Sequence, residues 1–349
     1  MSTWKGKKIE VEIFGASHNE EIGVIMKNFP TETFDIIALQ NFLKRRKPTY
    51  SPTFTSRNES DTPIFLEGVS NNKIIGTTVK CVIKNEDAKK SDYDDLYAKP
   101  RPSHADLAAY YKDGRLDFSG GGEFSGRMTA PLSIAGGIAK QFLEKRGVTV
   151  CAYLSRVGAV KGKSYKDGLT EKTEYVGDFP ALTCGEEMLL EMEKAKKEGD
   201  SVGGIVECVI SGFKKGVGGE LFDGLEGKIA NLIYAIPGVK GVEFGYGFSF
   251  AELKGSAAND QISVDNGKIF TTTNKSGGIN GGVSNGMPVT FSVVFRPTPS
   301  IAKKQSTVDL QTLSPCEIEI IGRHDACIAV RAVPVVEAAA ALALLDTII

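Results

Sequence analysis

At 349 residues and 41% hydrophobic content, the chain can form one large domain or two with a sizeable packed core, and it reads as a soluble globular protein. A formal net charge of -1 and an isoelectric point near 6.4 exclude a global field that would draw it to nucleic acid or an acidic membrane, so any anion binding must be local. Six scattered cysteines with no C-x-x-C pair exclude a zinc ribbon and a dense disulfide framework.

In chain order, residues 8–14 alternate like a strand and run into Gly15-Ala16-Ser17-His18. Helical spacing of Phe34, Ile37, Ala38 and Phe42 predicts a helix within 31–47, stopped by Pro48. Its basic end, residues 44–47, reads equally well as a complement to the helix dipole or as part of a site. The polar 50–61 stretch predicts a loop, 64–83 two or three strands, and 85–97 a charged solvent-facing loop. The segment 101–130 then places His104 close to Asp106, followed by Gly120 to Gly122, Ser125 and Arg127, and this combination marks a site rather than core. Residues 131–145 and 334–345 are apolar around most of a helical circumference, so buried helices are expected there. Pro334, Glu337 and Asp346 argue against a membrane span in the second of them. Between these helices, 186–198 and 225–235 read as amphipathic surface helices and 204–213 as a strand. Gly158 to Ser164 falls one residue short of a phosphate-binding loop and is discounted. Residues 274–288 are too rich in glycine for a helix, and a strand is expected over 289–295. No G-x-G-x-x-G opens a helix and the strand–helix alternation is irregular, which favours an α+β fold over a parallel α/β one. The opening residues lack the apolar run of a signal peptide, so a cytoplasmic location is expected.

All three histidines, His18, His104 and His324, lie in polar or glycine-flanked segments. Their spacing gives no i, i+4 pair for a metal, and no G-x-S-x-G elbow is present. The serines next to the histidines in sequence are expected to diverge from them. A third option beside a metal site and nucleophilic hydrolysis is proton transfer, with Arg46, Arg57, Arg127, Arg323 and Arg331 beside glycine loops to bind an anionic substrate or cofactor. The bland alternative is that these histidines cap loops and the arginines are solvated.

Nine ordered blocks carry a resemblance: FGASHNEEIG at 14–23, RRKP at 45–48 with TSRNESD at 55–61, RPSHAD at 101–106, GGGEFSGRMT at 120–129, GDSVGG at 199–204, VKGVEFGYGF at 239–248, NKSGGINGGVSNGMP at 274–288, RPTPSI at 296–301 and GRHDACIAVRAVPVVEA at 322–338. In these blocks the chain resembles the chorismate synthase family. The resemblance implies a single large α+β domain over 1–349, with helices sandwiched between antiparallel sheets, internal pseudo-symmetry and assembly as a homotetramer. It implies a lyase of the shikimate pathway that converts 5-enolpyruvylshikimate 3-phosphate to chorismate by 1,4-anti elimination. Reduced FMN is its cofactor, and NADPH or an external flavin reductase supplies reducing equivalents. By position, His18 would be the acid for the leaving phosphate, His104 would lie near the flavin and Asp325 would assist proton removal, with no metal. Arg46, Arg127, Arg323 and Arg331 would bind anions. Flavin contacts would come from Ser125, Pro237, Gly238, Gly281, Arg296, Pro297, Thr298, Pro299, Ser300 and Arg323.

The chain departs from the family pattern at Asn19 and Ser103, where glycines are usual, and at Pro52, Glu123, Phe124 and Met128. Glu123 stands where an arginine is usual and Met128 where a glutamate is. A lost cation beside a phosphate costs about 1.5–3 kcal/mol. The alternative is therefore a catalytically impaired flavin- or anion-binding relative of the same fold.

Overall fold

The computed structural model describes residues 1–47, 59–85, 96–118, 120–167, 175, 179–320 and 324–349. The first half comprises β1 (Ser2–Lys5), β2 (Glu10–Gly15), β3 (Glu21–Lys27), α1 (Ile36–Lys44), β4 (Ile64–Glu67), the small hairpin β5 (Val69–Ser70) and β6 (Lys73–Ile74), β7 (Thr78–Lys84), α2 (Asp106–Asp113) and α3 (Thr129–Glu144). The second comprises β8 (Thr149–Val157), β9 (Val160–Lys161), α4 (Gly185–Lys197), β10 (Gly204–Ser211), α5 (Leu225–Tyr234), β11 (Val239–Phe244), α6 (Gly255–Ala258), the hairpins β12 (Ile262–Asp265) with β13 (Lys268–Thr271) and β14 (Ile279–Asn280) with β15 (Val283–Ser284), β16 (Val289–Phe295), β17 (Gln305–Asp309) with β18 (Ser314–Ile318), and α7 (Ala329–Ile348).

Each half builds one five-stranded antiparallel sheet, in the order β1-β2-β3-β7-β4 and β11-β16-β10-β8-β9. Each half also closes with a long buried helix. Helix α3 packs on β3 and β7, α7 packs on β8 and β10, and the two helices pack on each other, so the sheets enclose them. This is the expected α+β sandwich, and its repeated sheet-plus-helix plan is the pseudo-symmetry. Among the described residues no helix is long and apolar enough to cross a membrane.

The two helices approach closely because small residues face each other. A Cβ on Gly136 would lie 2.3 Å from the Ala338 Cβ and 2.4 Å from its Cα, and a helix backbone cannot yield locally. Gly136→Ala is therefore expected to destabilise the fold by about 1–3 kcal/mol despite alanine's better helix propensity, read as a lower urea midpoint at unchanged slope; an unchanged midpoint would contradict this packing.

Several expectations are corrected here. The segment 64–83 holds four strands, β4 to β7, rather than two or three. Helix α7 begins at Ala329, before Pro334, because burial on every side stabilises it across the one backbone bond that the proline removes. Helix α2 was not expected. It is short and polar, and it ends at Gly114 in the left-handed conformation, φ 74°. Gly158, in the stretch discounted as a phosphate loop, makes the turn of the β8–β9 hairpin, in agreement with that reading.

Candidate active site

One cavity of about 750 Å³ opens where the ends of both halves meet. Its walls include His18, Arg46, His104, Ser125, Arg127, Pro237, Gly238, Arg296, Thr298, Pro299, Ser300, His324, Asp325 and Arg331. Segments separated by up to three hundred residues thus meet in one place. The expected site residues outside this wall are few. Pro297 lines a smaller hollow on the other side of its loop, and Gly281 sits in the exposed turn between β14 and β15, outside the cavity. Pro52, Arg57 and Arg323 lie outside the described residues.

His18 follows β2, in a turn closed by the Asn19 N–H bonding to the Ala16 carbonyl at 3.0 Å. That turn folds the two neighbouring side chains together, and the Ser17 hydroxyl lies 2.9 Å from His18 Nδ1, so the expected divergence does not hold. Gly120, at φ 70°, packs against the ring; a Cβ there would lie 2.0 Å from His18 Cε1. Asn85 anchors the same loop, donating to the Asn19 carbonyl at 2.7 Å while its Oδ1 accepts from Arg127 Nε at 2.9 Å.

The cationic side of the cavity is buried. Arg46, 4% exposed, donates to Asp61 Oδ2 at 2.7 Å and to Thr129 Oγ1 at 3.1 Å. Arg127 bonds the other oxygen of Asp61 and lies 3.8 Å from Glu59. Arg331 donates to the Arg46 carbonyl and, at 3.0 Å, to Asp325 Oδ2, whose backbone carbonyl is held by the Thr298 hydroxyl. Burial, only partly offset by Asp61, pushes the Arg46 guanidinium down to about 10, and Arg331 and Arg127 push in the same direction. It stays cationic at neutral pH. Among the described residues, Arg46 Nε and Arg127 Nη2 are buried donors with no hydrogen-bond partner. The cavity wall carries Arg46, Arg101, Arg127, Arg296 and Arg331 against the carboxylates Glu123 and Asp325, and that excess of cations favours an anion's oxygens there.

His104 lies just before α2. Its Nδ1 is 2.6 Å from Asp106 Oδ1, and Arg101 grips the same carboxylate through Nε at 2.7 Å and Nη2 at 2.8 Å. An apolar strip of Ile328, Ala332 and Val335 on and before α7 lines the same cavity, together with Pro299 and Gly238. Gly238 is held at φ 88°, and a Cβ there would lie 2.5 Å from Ile328 Cδ1.

Sequence reasoning passed over Arg101, Asp61 and Asn85, and it noted Asp106 only as a neighbour of His104. The R-x-x-H-x-D spacing was the readable signal for the first and last. Glu123 and Met128, the departures that bear on charge, both have partners in the fold. Arg115 forks onto Glu123 at 2.9 and 2.7 Å and holds its carboxyl down at about 2, while Met128 packs against the main core.

The family model for chorismate synthase matches residues 9–349. A chorismate synthase of Thermococcus gammatolerans is 42% identical over 346 residues, spanning 98% of this chain and 96% of its own length. One of Dehalococcoides mccartyi is 40% identical over 350 residues, spanning 99% and 96%. A crystal structure of chorismate synthase matches with a TM-score of 0.74 at 22% identity, covering 98% of this chain and 92% of that one, and so shares the fold. By its motifs, its fold and these full-length matches, the chain belongs to the chorismate synthase family.

Proposed function

We propose that this protein converts 5-enolpyruvylshikimate 3-phosphate to chorismate and phosphate with reduced FMN as its cofactor. The observation that carries the reading is the meeting, in one cavity, of His18 and His104 with the arginines Arg46, Arg127, Arg296 and Arg331. An expelled phosphate needs both a proton and cationic stabilisation, and this wall holds groups for each.

The residues also fit a flavin. The volume lies in the ordinary range for ligand sites, and the lining combines the apolar Ile328, Ala332 and Val335 with polar groups at Ser125, Arg296 and Thr298. Arg296, Thr298, Pro299, Ser300, Ser125, Pro237 and Gly238 would hold the cofactor, with Pro297 shaping the same loop from behind. When bound, reduced FMN supplies electron density to the substrate ring as phosphate leaves. His18 delivers a proton to the departing phosphate, and Arg46, Arg127 and Arg331 bind its oxygens. Asp325, steadied by Arg331 and Thr298, is the carboxylate nearest to hand for the ring proton. His104 gives or takes a proton at the cavity edge. A homotetramer, and reduction of the flavin by NADPH or an external reductase, belong to the same reading. Arg115 neutralises the added charge of Glu123 but does not replace the lost cation, so the impaired relative stays the alternative that the experiment decides.

The test is anaerobic, with purified protein, chemically reduced FMN and substrate, following chorismate absorbance and phosphate together. Stoichiometric release of both is expected. Binding of FMN and substrate with no product would replace this reading with that of an impaired relative.

A further inference from the structure

We infer that Asp106, clamped by Arg101, is the positioning residue for His104: it keeps a proton on Nδ1 and leaves Nε2 as the nitrogen that works in the cavity. The inference rests on the reading of the cavity given above and adds to it the tautomer and the residue that sets it.

The geometry leaves Asp106 little choice. Its carboxylate is buried and accepts from the Arg101 backbone N–H at 2.9 Å, from Arg101 Nε at 2.7 Å and Nη2 at 2.8 Å, and from His104 Nδ1 at 2.6 Å. An ionised carboxylate only accepts, so Nδ1 must be the protonated nitrogen. The 3.1 Å between Arg101 Nη2 and His104 Nδ1 is then the approach of two donors that share Asp106 Oδ1, not a bond between them. Arg101 is itself fixed, since Nη2 also donates to the Gly120 carbonyl at 2.7 Å. Gly120 is the residue packed against His18, so one arginine ties the seats of both histidines together.

The loop is also held from across the cavity. Ser103 sits at φ 60°, a left-handed conformation uncommon for serine, and Arg296 Nη1 donates to its carbonyl at 2.6 Å. The charged groups known to face this loop, among the described residues, are Asp106 and Arg101 from its own side and Arg296 from the segment after β16. Despite burial, which raises it, the bonds from Arg101 and His104 hold the Asp106 carboxyl at about 2, so it remains ionised through any working pH.

A ring so held differs from an unpaired histidine in that its orientation is set before ligand arrives, with Nδ1–H turned to Asp106 and Nε2 left for the cavity that the ring lines. The orientation does not depend on a bound cofactor, and that makes it measurable without turnover.

The experiment is ¹⁵N-histidine NMR of the full chain over a pH series, with the His104 signal assigned by its loss in His104→Gln. The same series is run on Asp106→Asn, together with anaerobic turnover of both proteins. Neutral wild-type His104 is expected as the Nδ1–H tautomer. In Asp106→Asn the ring is expected to lose this single tautomer and to populate the Nε2–H form as well, and kcat to fall roughly 10–100-fold, with KM and FMN affinity changed less than about threefold. An Nε2–H tautomer in the wild type overturns the proposal, as does an Asp106→Asn protein with unchanged tautomer and kcat. Should Asp106→Asn fail to fold, the wild-type tautomer decides alone. Absence of wild-type turnover would defeat the functional reading while the tautomer still answers for Asp106.

Discussion

His104→Ala and His18→Ala are each expected to lower turnover by about 10²–10⁴-fold while the protein stays folded. Neither ring belongs to the hydrophobic core. His18 stands on a turn after β2 and His104 on the loop before α2, and their contacts are to Ser17 and Asp106 rather than to the buried aliphatic residues. Truncation therefore removes a proton-handling group without opening a cavity between the sheets. With His18 gone, the phosphate would have to leave as a fuller anion, and the arginine set alone would bear that charge. With His104 gone, Asp106 and Arg101 would still satisfy one another, which is why folding should survive. The check is anaerobic turnover of both variants beside their thermal melts. Near-normal rates in both would sink the role assignment; lost rates with lowered melts would relocate the effect to stability.

The largest expected effect on stability lies elsewhere, at Glu337 in the middle of α7. This carboxylate is 1% exposed, and Arg45 grips it with two bonds of 2.8 Å. Lys140 of α3 approaches at 3.1 Å, and the Ala152 N–H of β8 donates at 2.9 Å. One acid thus joins the end of α1, both buried helices and the second sheet. Glu337→Gln keeps the shape but leaves Arg45 and Lys140 with an uncompensated charge, and a loss of about 3–5 kcal/mol at neutral pH is expected.

The pH dependence has a definite sign. Burial alone would raise the Glu337 carboxyl, but Lys140, Arg45 and the Ala152 N–H outweigh it and hold it at about 2, against an ordinary 4.5. A depressed acid contributes stability that is complete above its unfolded value and is lost as pH falls toward the folded one. The wild type should therefore lose on the order of 3 kcal/mol from this group between pH 4.5 and 2. Urea midpoints measured across that window should show the wild type and Glu337→Gln converging as the acid protonates. A gap below about 1 kcal/mol at pH 7, or one that does not shrink, would refute the assignment.

Much of the scaffold was legible from periodicity. The strand expected over 289–295 is β16 to the residue, and the helices expected at 131–145, 186–198 and 225–235 are α3, α4 and α5 to within about two residues at each end. The elements that were missed share a cause. Helix α2 lacks an apolar stripe, and α7 extends through a proline that local rules read as a start. Both are stabilised by what surrounds them rather than by their own pattern. The acids in the last apolar run show the same limit. They argued correctly against a membrane span, yet nothing local indicated that Asp346 would receive the N–H groups of Lys7, Lys8 and Ile9, or that Glu337 would meet Arg45.

The residue types of the site, the order of its motifs and the apolar character of its two central helices were determined by the sequence by itself, because each depends on spacings of a few residues. The pairings were decided only in three dimensions. Arg46 reaches Asp61 fifteen positions away, Asp61 reaches Arg127 across 66, and Arg45 reaches Glu337 across 292. No local rule selects partners over such distances. Packing α3 and α7 between the sheets selects them, since a charge withdrawn from water into that interior must find an opposite charge or a ligand.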